Sequence, residues 1–302
     1  MSNYTKLKFN PEEKNSPYVK IYNFIKNGST VLDIGCSSGN FGKALIELKN
    51  CTVDGIDLNQ NDIRLASKVL TMAKVANVET SNLEEVLKGK RYDVIVMADV
   101  LEHLVDPVSS LKSIQKLLNR DGFLAFSIPN MAHISVRLNL LLGDFPYTET
   151  GLLDKTHLHF YDIYEAERLI ERSGYSIEKY DSTVVNFPRS MVRERLANVG
   201  LQTEERFFDL INDTYGNIYQ FVAKIVPDPP NKDPKNNHTN LAVTHSPAED
   251  VHLYLSDLER IWRDREIQLL RQLRWNPVYL TRRAGSKAIK KIAARKRGNK
   301  KG

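Results

Sequence analysis

A parallel α/β sheet is the fold class this sequence predicts, on two observations. Strand-like and helix-like segments alternate from Thr30 to about Val226, the rhythm of strands joined by right-handed helical crossovers. The segment "YDVIVMADV", residues 92–100, is an almost uninterrupted apolar run. Such a run suits a strand covered on both faces, not one with a wet side.

Taken in order, "TVLDIG" reads as the first strand and "NFGKALIELKN" as a helix with Phe41, Leu45, Ile46 and Leu48 on its apolar positions. "TVDGIDL" is the second strand, and "NDIRLASKVLTMA" a helix with Asn59 or Asn61 near its cap. "VANVET" reads as a short third strand and "YDVIVMADV" as the fourth. "PVSSLKSIQKLLNR" is a helix with Pro107 in its first turn, and "GFLAFSIP" the fifth strand. After Pro129 the rhythm breaks into an insertion, about 130–160, with aromatics, glycine and several histidines. A loop-rich stretch of that length in a compact domain is usually functional. Regularity returns with a helix capped by Asp162 and ended by Gly174, then two strands, "YSIEKYDSTVV" and "IYQFVAKIV". A helical insert, about 188–214, separates them. The body is thus expected to span 1–226, with seven strands.

Residues 227–250 are rich in Pro, Asn and Asp and read as a linker. Beyond it, 251–302, Val251, Leu255, Leu258, Trp262, Leu269 and Leu273 form one helical stripe, an amphipathic or coiled-coil pattern. The net charge of +6 belongs to this end of the chain. Residues 251–302 hold 15 Lys and Arg against 4 Asp and Glu, whereas 1–250 hold 28 against 33. A mildly acidic body argues against a nucleic-acid surface. The basic end suits peripheral contact with an anionic membrane face or a protein partner, and equally a solvated tail. Two cysteines, Cys36 and Cys51, imply no disulfide framework, and no apolar run is long enough to span a bilayer, so a cytoplasmic protein is expected.

The chemistry begins at "VLDIGCSSG", residues 31–39, where a buried strand ends in Asp33 and a loop of small residues. The spacing of Gly35, Ser37 and Gly39 does not complete G-x-G-x-x-G. A carboxylate two residues ahead of Gly35 would also repel a pyrophosphate. It suits a ligand with a cationic end.

"VLDIGCSSGNFG" resembles the first motif of class I S-adenosylmethionine-dependent methyltransferases, D-x-G-x-G-x-G, with Ser37 in place of the middle glycine. The resemblance implies a Rossmann-like, seven-stranded, mostly parallel sheet with S-adenosyl-L-methionine as cofactor. Asp33, Gly35, Ser37 and Gly39 would then surround its methionine part. Asp57, which ends the second strand 22 residues after Gly35, would accept the ribose hydroxyls with Leu58 beside it. The alternative for Asp57 is a helix cap. Asn82 stands where the family often has a residue bonding the adenine amino group, and it too could be a cap. "DVLEHLVDP" is similar to the segment shared by quinone-ring O-methyltransferases and many sugar and polysaccharide methyltransferases. It implies Ala98 and Asp99 near the methionine moiety, with Glu102 and His103 on the acceptor side.

A hydroxyl acceptor must lose its proton, and a positioned histidine can take it. His103, kept basic by Glu102, is the first candidate, His157 the second and His159 the third; each could instead brace a loop. Asp99, Glu102, His103 and His157 also compose a hard-to-borderline set of metal donors. The small-RNA 2′-O-methyltransferases, which use a divalent ion, are similar here. Tyr147, Phe145 and Arg137 in the insertion suit a sugar or glycolipid headgroup, stacking below a ring and donating to hydroxyls, and are equally compatible with other acceptors. The resemblance thus implies an O-methyltransferase acting on a sugar or surface-glycan hydroxyl, with a small aromatic or quinone-like hydroxyl as the alternative. A non-catalytic scaffold is the rival from another class, disfavoured by the presence of both Asp33 and Asp57.

Overall fold

The computed structural model describes residues 9–205, 207–208 and 215–229. Strand β1 (Thr30–Ile34) is followed by helix α2 (Asn40–Lys49), β2 (Thr52–Asp57), α3 (Gln60–Ala66) and β3 (Met72–Val75). A short helix α4 (Leu83–Val86), β4 (Tyr92–Ala98), α5 (Pro107–Gln115) and β5 (Leu118–Pro129) complete the first half. Helix α1 (Pro17–Phe24) precedes them. The second half runs through α6 (Ile134–Leu141), α7 (Ile163–Arg172), β6 (Tyr175–Val184), α8 (Arg189–Ala197) and β7 (Ile218–Pro227).

The strands form one seven-stranded sheet in the order β3-β2-β1-β4-β5-β7-β6. β1 to β5 are mutually parallel, while β7 runs antiparallel to both β5 and β6. Alternation along the central strands divides the core. Leu32, Ile34, Ile95 and Met97 pack on one face with Leu111, Leu169 and Tyr175; Val31, Val94 and Val96 pack on the other with Leu45 and Ile21. That period of two is why "YDVIVMADV" needs apolar residues throughout.

The caps follow the sequence. Asn59 caps α3, its side chain accepting from the Asn61 N–H at 2.9 Å. Asp106 caps α5 directly ahead of Pro107, and Asp162 caps α7 by accepting from the Glu165 N–H at 2.8 Å. Both cysteines are free and buried.

Three boundaries differ from expectation. The helix expected over 61–73 stops at Ala66, because the next apolar residues are claimed by the sheet: the Thr71 N–H donates to Val53 O at 2.9 Å and Asp54 registers with Met72. Of "VANVET" only Val75 belongs to β3, and residues 76–80 are the loop after it. β5 begins at Leu118, four residues before Gly122, through a register shift opposite Tyr92. A Cβ at Gly122 would sit 2.9 Å from Tyr92 O, so the bend requires glycine. The insertion 130–160 contains a helix, α6, and is packed. Ile134 and Leu138 form a satellite core with Phe187, Val192, Leu196 and Phe208 of the second insert. The linker beyond residue 229 and the basic stretch 251–302 lie outside the described residues. Among the described residues no helix is long and apolar enough to cross a membrane.

Candidate active site

The C-terminal ends of β1, β2, β3 and β4 surround a cavity of about 320 Å³, the place where open parallel sheets take their ligands. Its floor is the loop after β1. The Gly35 and Cys36 N–H groups both donate to Ile56 O, at 2.8 and 3.1 Å. This ties the turn to β2. Gly35 has φ +77°, and a Cβ there would meet Val100 Cγ2 at 2.7 Å. Only glycine lets the backbone lie open to the cavity at this point. Ser37 adopts φ 47°, and its N–H donates to Asp57 Oδ2 at 2.9 Å. Asp57 Oδ1 accepts from the Asn59 N–H at 2.8 Å. The Asp57 carboxylate thus holds the loop and faces the cavity with its remaining lone pairs.

Gly35, Ser37, Asp57, Leu58, Ala98, Asp99 and His103 line the cavity together. Asp33 does not. It is 4% exposed at the end of β1, beneath the loop. Burial, and next the charge of Asp57, raise its pKa to about 7. It lies beneath the cavity as a carboxyl that is part-protonated near neutrality and that a cationic ligand end would favour in its ionised form. Gly39 also lies off the cavity, at the N-terminus of α2 with φ +81°, packed against Ala66 and Val69.

Asn82 is corrected. Its side chain caps α4, accepting from the Glu85 N–H at 3.4 Å, and it is not among the lining residues. The loop after β3 reaches the cavity four residues earlier, with Asn77, Val78 and Glu79. Glu79 Oε1 accepts from the N–H groups of Val105 and Asp106 at 2.9 and 2.8 Å, joining that loop to the one after β4. Tyr18 from α1 and Asp62 from α3 also line the cavity, unforeseen from sequence. Asp62 is 2% exposed with an unpartnered Oδ1, and burial raises its pKa.

The acceptor side is built on the 3-10 turn Leu101–His103. A strap from the insertion lies over it: Glu102 O accepts from the N–H groups of Leu158 and His159, at 2.8 and 3.1 Å. His103 Nδ1 lies 3.2 Å from Thr156 O and 3.2 Å from Thr156 Oγ1. The Thr156 hydroxyl donates to Asp154 Oδ1 at 2.7 Å, so both neighbours of Nδ1 are acceptors. Nδ1 therefore carries the proton and Nε2 keeps its lone pair.

Glu102 does not hold His103 as expected from sequence. It is 1% exposed, and its Oε1 stands 4.0 Å from His157 Nε2. Burial, then repulsion from Asp99, raise its pKa well above the usual carboxylate range. Burial and the neighbouring His103 lower that of His157, so its ring is neutral at neutral pH. The two imidazoles meet edge to face at 4.9 Å. Asp99 is withdrawn from the expected metal set. Its carboxylate accepts from Ser127 Oγ at 2.7 Å and from Gln220 Nε2 at 2.8 and 2.9 Å. His159 braces the strap, with Nε2 3.3 Å from Val105 O and the ring stacked on Tyr161. Phe160 lies 6.5 Å from His157 and joins Phe145 and Tyr147 in a half-exposed aromatic group.

These features define a receptor for a nucleoside with a cationic amino-acid end, beside a site able to take a proton. Buried carboxylates at Asp33 and Asp62, an unpartnered Ser37 Oγ, Asp57 at a strand end and backbone at Gly35 together fit S-adenosylmethionine. The methyltransferase-domain family model matches residues 10–180, and the chain belongs to that family. The seven-stranded, mostly parallel Rossmann-like sheet and S-adenosylmethionine as cofactor accord with it. Among curated relatives, a ubiquinone biosynthesis O-methyltransferase of Acinetobacter baylyi is 30% identical over 107 residues, covering 34% of this chain and 44% of that protein. One from Hydrogenovibrio crunogenus is 24% identical over 191 residues, covering 60% and 75%. The chain spans about half the length of the first curated relatives it matches. A solved S-adenosylmethionine-dependent methyltransferase from Archaeoglobus fulgidus is 16% identical, covers 72% of this chain and 94% of its own, and gives a TM-score of 0.49.

Proposed function

We propose that this chain transfers a methyl group from S-adenosylmethionine to a hydroxyl on an aromatic, quinone-like ring. The observation that carries the reading is the fixed tautomer of His103, whose free Nε2 belongs to a residue lining the cofactor cavity. When bound, the cofactor would supply a methyl on a sulfonium, whose carbon takes an oxygen lone pair as the carbon–sulfur bond breaks and its electron pair leaves with sulfur. The chain's own work is alignment and proton removal. Asp57 and the Gly35 backbone would hold the donor in the cavity that His103, at the end of the 3-10 turn, also lines. His103 Nε2 accepts the hydroxyl proton as the O–C bond forms and releases it to solvent afterwards. The Thr156 carbonyl and hydroxyl, both acceptors at Nδ1, put the proton of the neutral ring there and make Nε2 its basic nitrogen. Alignment supplies most of the rate and the base a further ~10² to 10⁴-fold.

The aromatic acceptor is favoured over the sugar by the Phe145–Tyr147–Phe160 group beside His157. The names of the relatives agree with it. The test is transfer of labelled methyl from S-adenosylmethionine to two acceptor panels, hydroxylated benzoquinones or phenols and nucleotide sugars. Methylated phenols are expected; methylated sugars alone would reverse the assignment. Binding of S-adenosylmethionine by calorimetry without transfer to either panel would favour a scaffold.

A further inference from the structure

We propose that Asp154 is a positioning residue for the methyl transfer: it commits the Thr156 hydroxyl to accepting, and so decides which nitrogen of His103 is left to take the substrate's proton. The proposal deepens the reading of His103 as base and rests on it.

A threonine hydroxyl carries one proton and two lone pairs, and it can turn either toward a neighbour. Beside His103 that choice has a chemical consequence. A hydroxyl that donates to Nδ1 needs a lone pair there, which sends the proton of the neutral ring to Nε2. Nε2 then has nothing with which to take a proton from a bound hydroxyl. A hydroxyl that accepts from Nδ1–H leaves Nε2 free. The Thr156 carbonyl favours the second arrangement, but Thr156 Oγ1 stands at the same 3.2 Å from Nδ1 and competes for it. Asp154 removes the competition. Its Oδ1 lies 2.7 Å from Thr156 Oγ1, and a carboxylate offers only acceptors, so the hydroxyl proton is spent there.

The surrounding chain holds Asp154 for this contact. It is 5% exposed, and the two residues before it, Leu152 and Leu153, are buried with Val136 of α6. Gly151 takes φ +92°, and a Cβ there would come 3.1 Å from the Tyr219 hydroxyl. The Thr148 N–H donates to Leu153 O at 2.8 Å and the Lys155 N–H to Thr148 O at 3.0 Å. Asp154 Oδ1 also accepts from the Thr156 N–H at 2.8 Å. That bond alone closes the local turn; the bond from the hydroxyl is additional, and it is the one that reaches His103. In the reaction the substrate proton moves to Nε2 as the new O–C bond forms, and no proton crosses to Asp154. The ring is then a cation whose Nδ1–H points through one hydroxyl toward an anion, a line of hydrogen bonds strengthened by its charged ends.

The test is nitrogen NMR of the full chain labelled at histidine, read on neutral rings, beside steady-state kinetics. The signal lost in His103→Gln assigns the ring. The unaltered chain should show the proton on Nδ1. Asp154→Ala should raise the share on Nε2 and lower kcat at least about tenfold, within the ~10² to 10⁴ that a base supplies, with the KM for the acceptor and cofactor affinity held within about threefold. Thr156→Val alone should lower kcat no more than about fivefold, since the carbonyl remains. Added to Asp154→Ala, it should restore the Nδ1 proton and bring kcat back to the level of Thr156→Val, because no hydroxyl is left to donate the wrong way. An aspartate that only builds the turn cannot be rescued by removing a second polar group. A double variant no better than Asp154→Ala overturns the proposal, and so does Asp154→Ala with the ring proton unmoved. Should Asp154→Ala fail to fold, Asp154→Asn keeps an oxygen for the turn and should give the same changes in smaller measure, with the same rescue. Methyl transfer absent from the unaltered chain on every acceptor would sink the reading of His103 as base. Transfer retained with an unmoved ring proton sinks the role of Asp154 alone.

Discussion

Strands β1 to β5 run parallel, and the ends and following loops of β1 to β4 supply almost every residue of the cofactor cavity. The part of the chain after Pro129 works differently. It adds an antiparallel pair to one edge of the sheet and lays two inserts against each other. From there it sends single residues back: Thr156 to His103, His157 to Glu102, Gln220 to Asp99. The first half holds a ligand by the shape of its backbone. The second half sets the chemical state of side chains that the first half owns. Cofactor affinity and catalytic competence should therefore separate by region.

Substitutions test that separation, taken here from the largest expected effect to the smallest. His103→Ala should lower methyl transfer by about 10² to 10⁴-fold while leaving the cofactor dissociation constant within about threefold; single-turnover kinetics beside calorimetry measure both. A loss carried by affinity alone would break the comparison. Asp57→Ala should weaken S-adenosylmethionine binding at least tenfold, about 1.4 kcal/mol. Unchanged affinity in the calorimeter would remove Asp57 from the site.

The pH dependence of binding should sharpen the same contrast. Asp33, with a pKa of about 7, is part-protonated in the free chain near neutrality. A cationic ligand end favours its ionised form, so affinity should rise about tenfold from pH 6 to pH 8, with a proton released on binding. The stability of the free chain should move the other way. A carboxyl whose folded pKa is raised favours folding fully below its unfolded value near 4 and loses that contribution as pH rises through about 7. Asp33→Asn should abolish both slopes; an affinity flat with pH in the unaltered chain would show that Asp33 does not sense the ligand. The smallest effect belongs to Phe160→Ala, which should raise the KM for the acceptor several-fold at constant cofactor affinity. A change in cofactor affinity there would mean that the two regions share one pocket.

The same contrast explains what could be read in advance. Gly35, Ser37 and Asp57 are legible because local backbone demands fix them: a left-handed turn, a strand end, a carboxylate catching the turn's N–H groups. The cap role of Asn82 could not be chosen in advance because residues 67–73 suit either a helix or a strand. Only pairing with Val53 and Asp54 decides for β3. The loop then arrives at the cavity with Asn77 and Glu79 instead. Glu102 was paired with its chain neighbour His103, whereas folding hands it His157 from the strap. Gln220 left no signal at all, since a glutamine in a strand has no local reason to be there.

Gln220 meets Asp99 across 121 residues of intervening chain. During synthesis the glycine turn, the Asp57 strand and Asp99 all leave the ribosome well before that glutamine is made. Until then β5 offers a bare edge where β7 will pair, and Asp99 lacks two of its three side-chain hydrogen bonds. The nascent first half is an unfinished receptor, and one of the last segments of the body to emerge is the one that completes it.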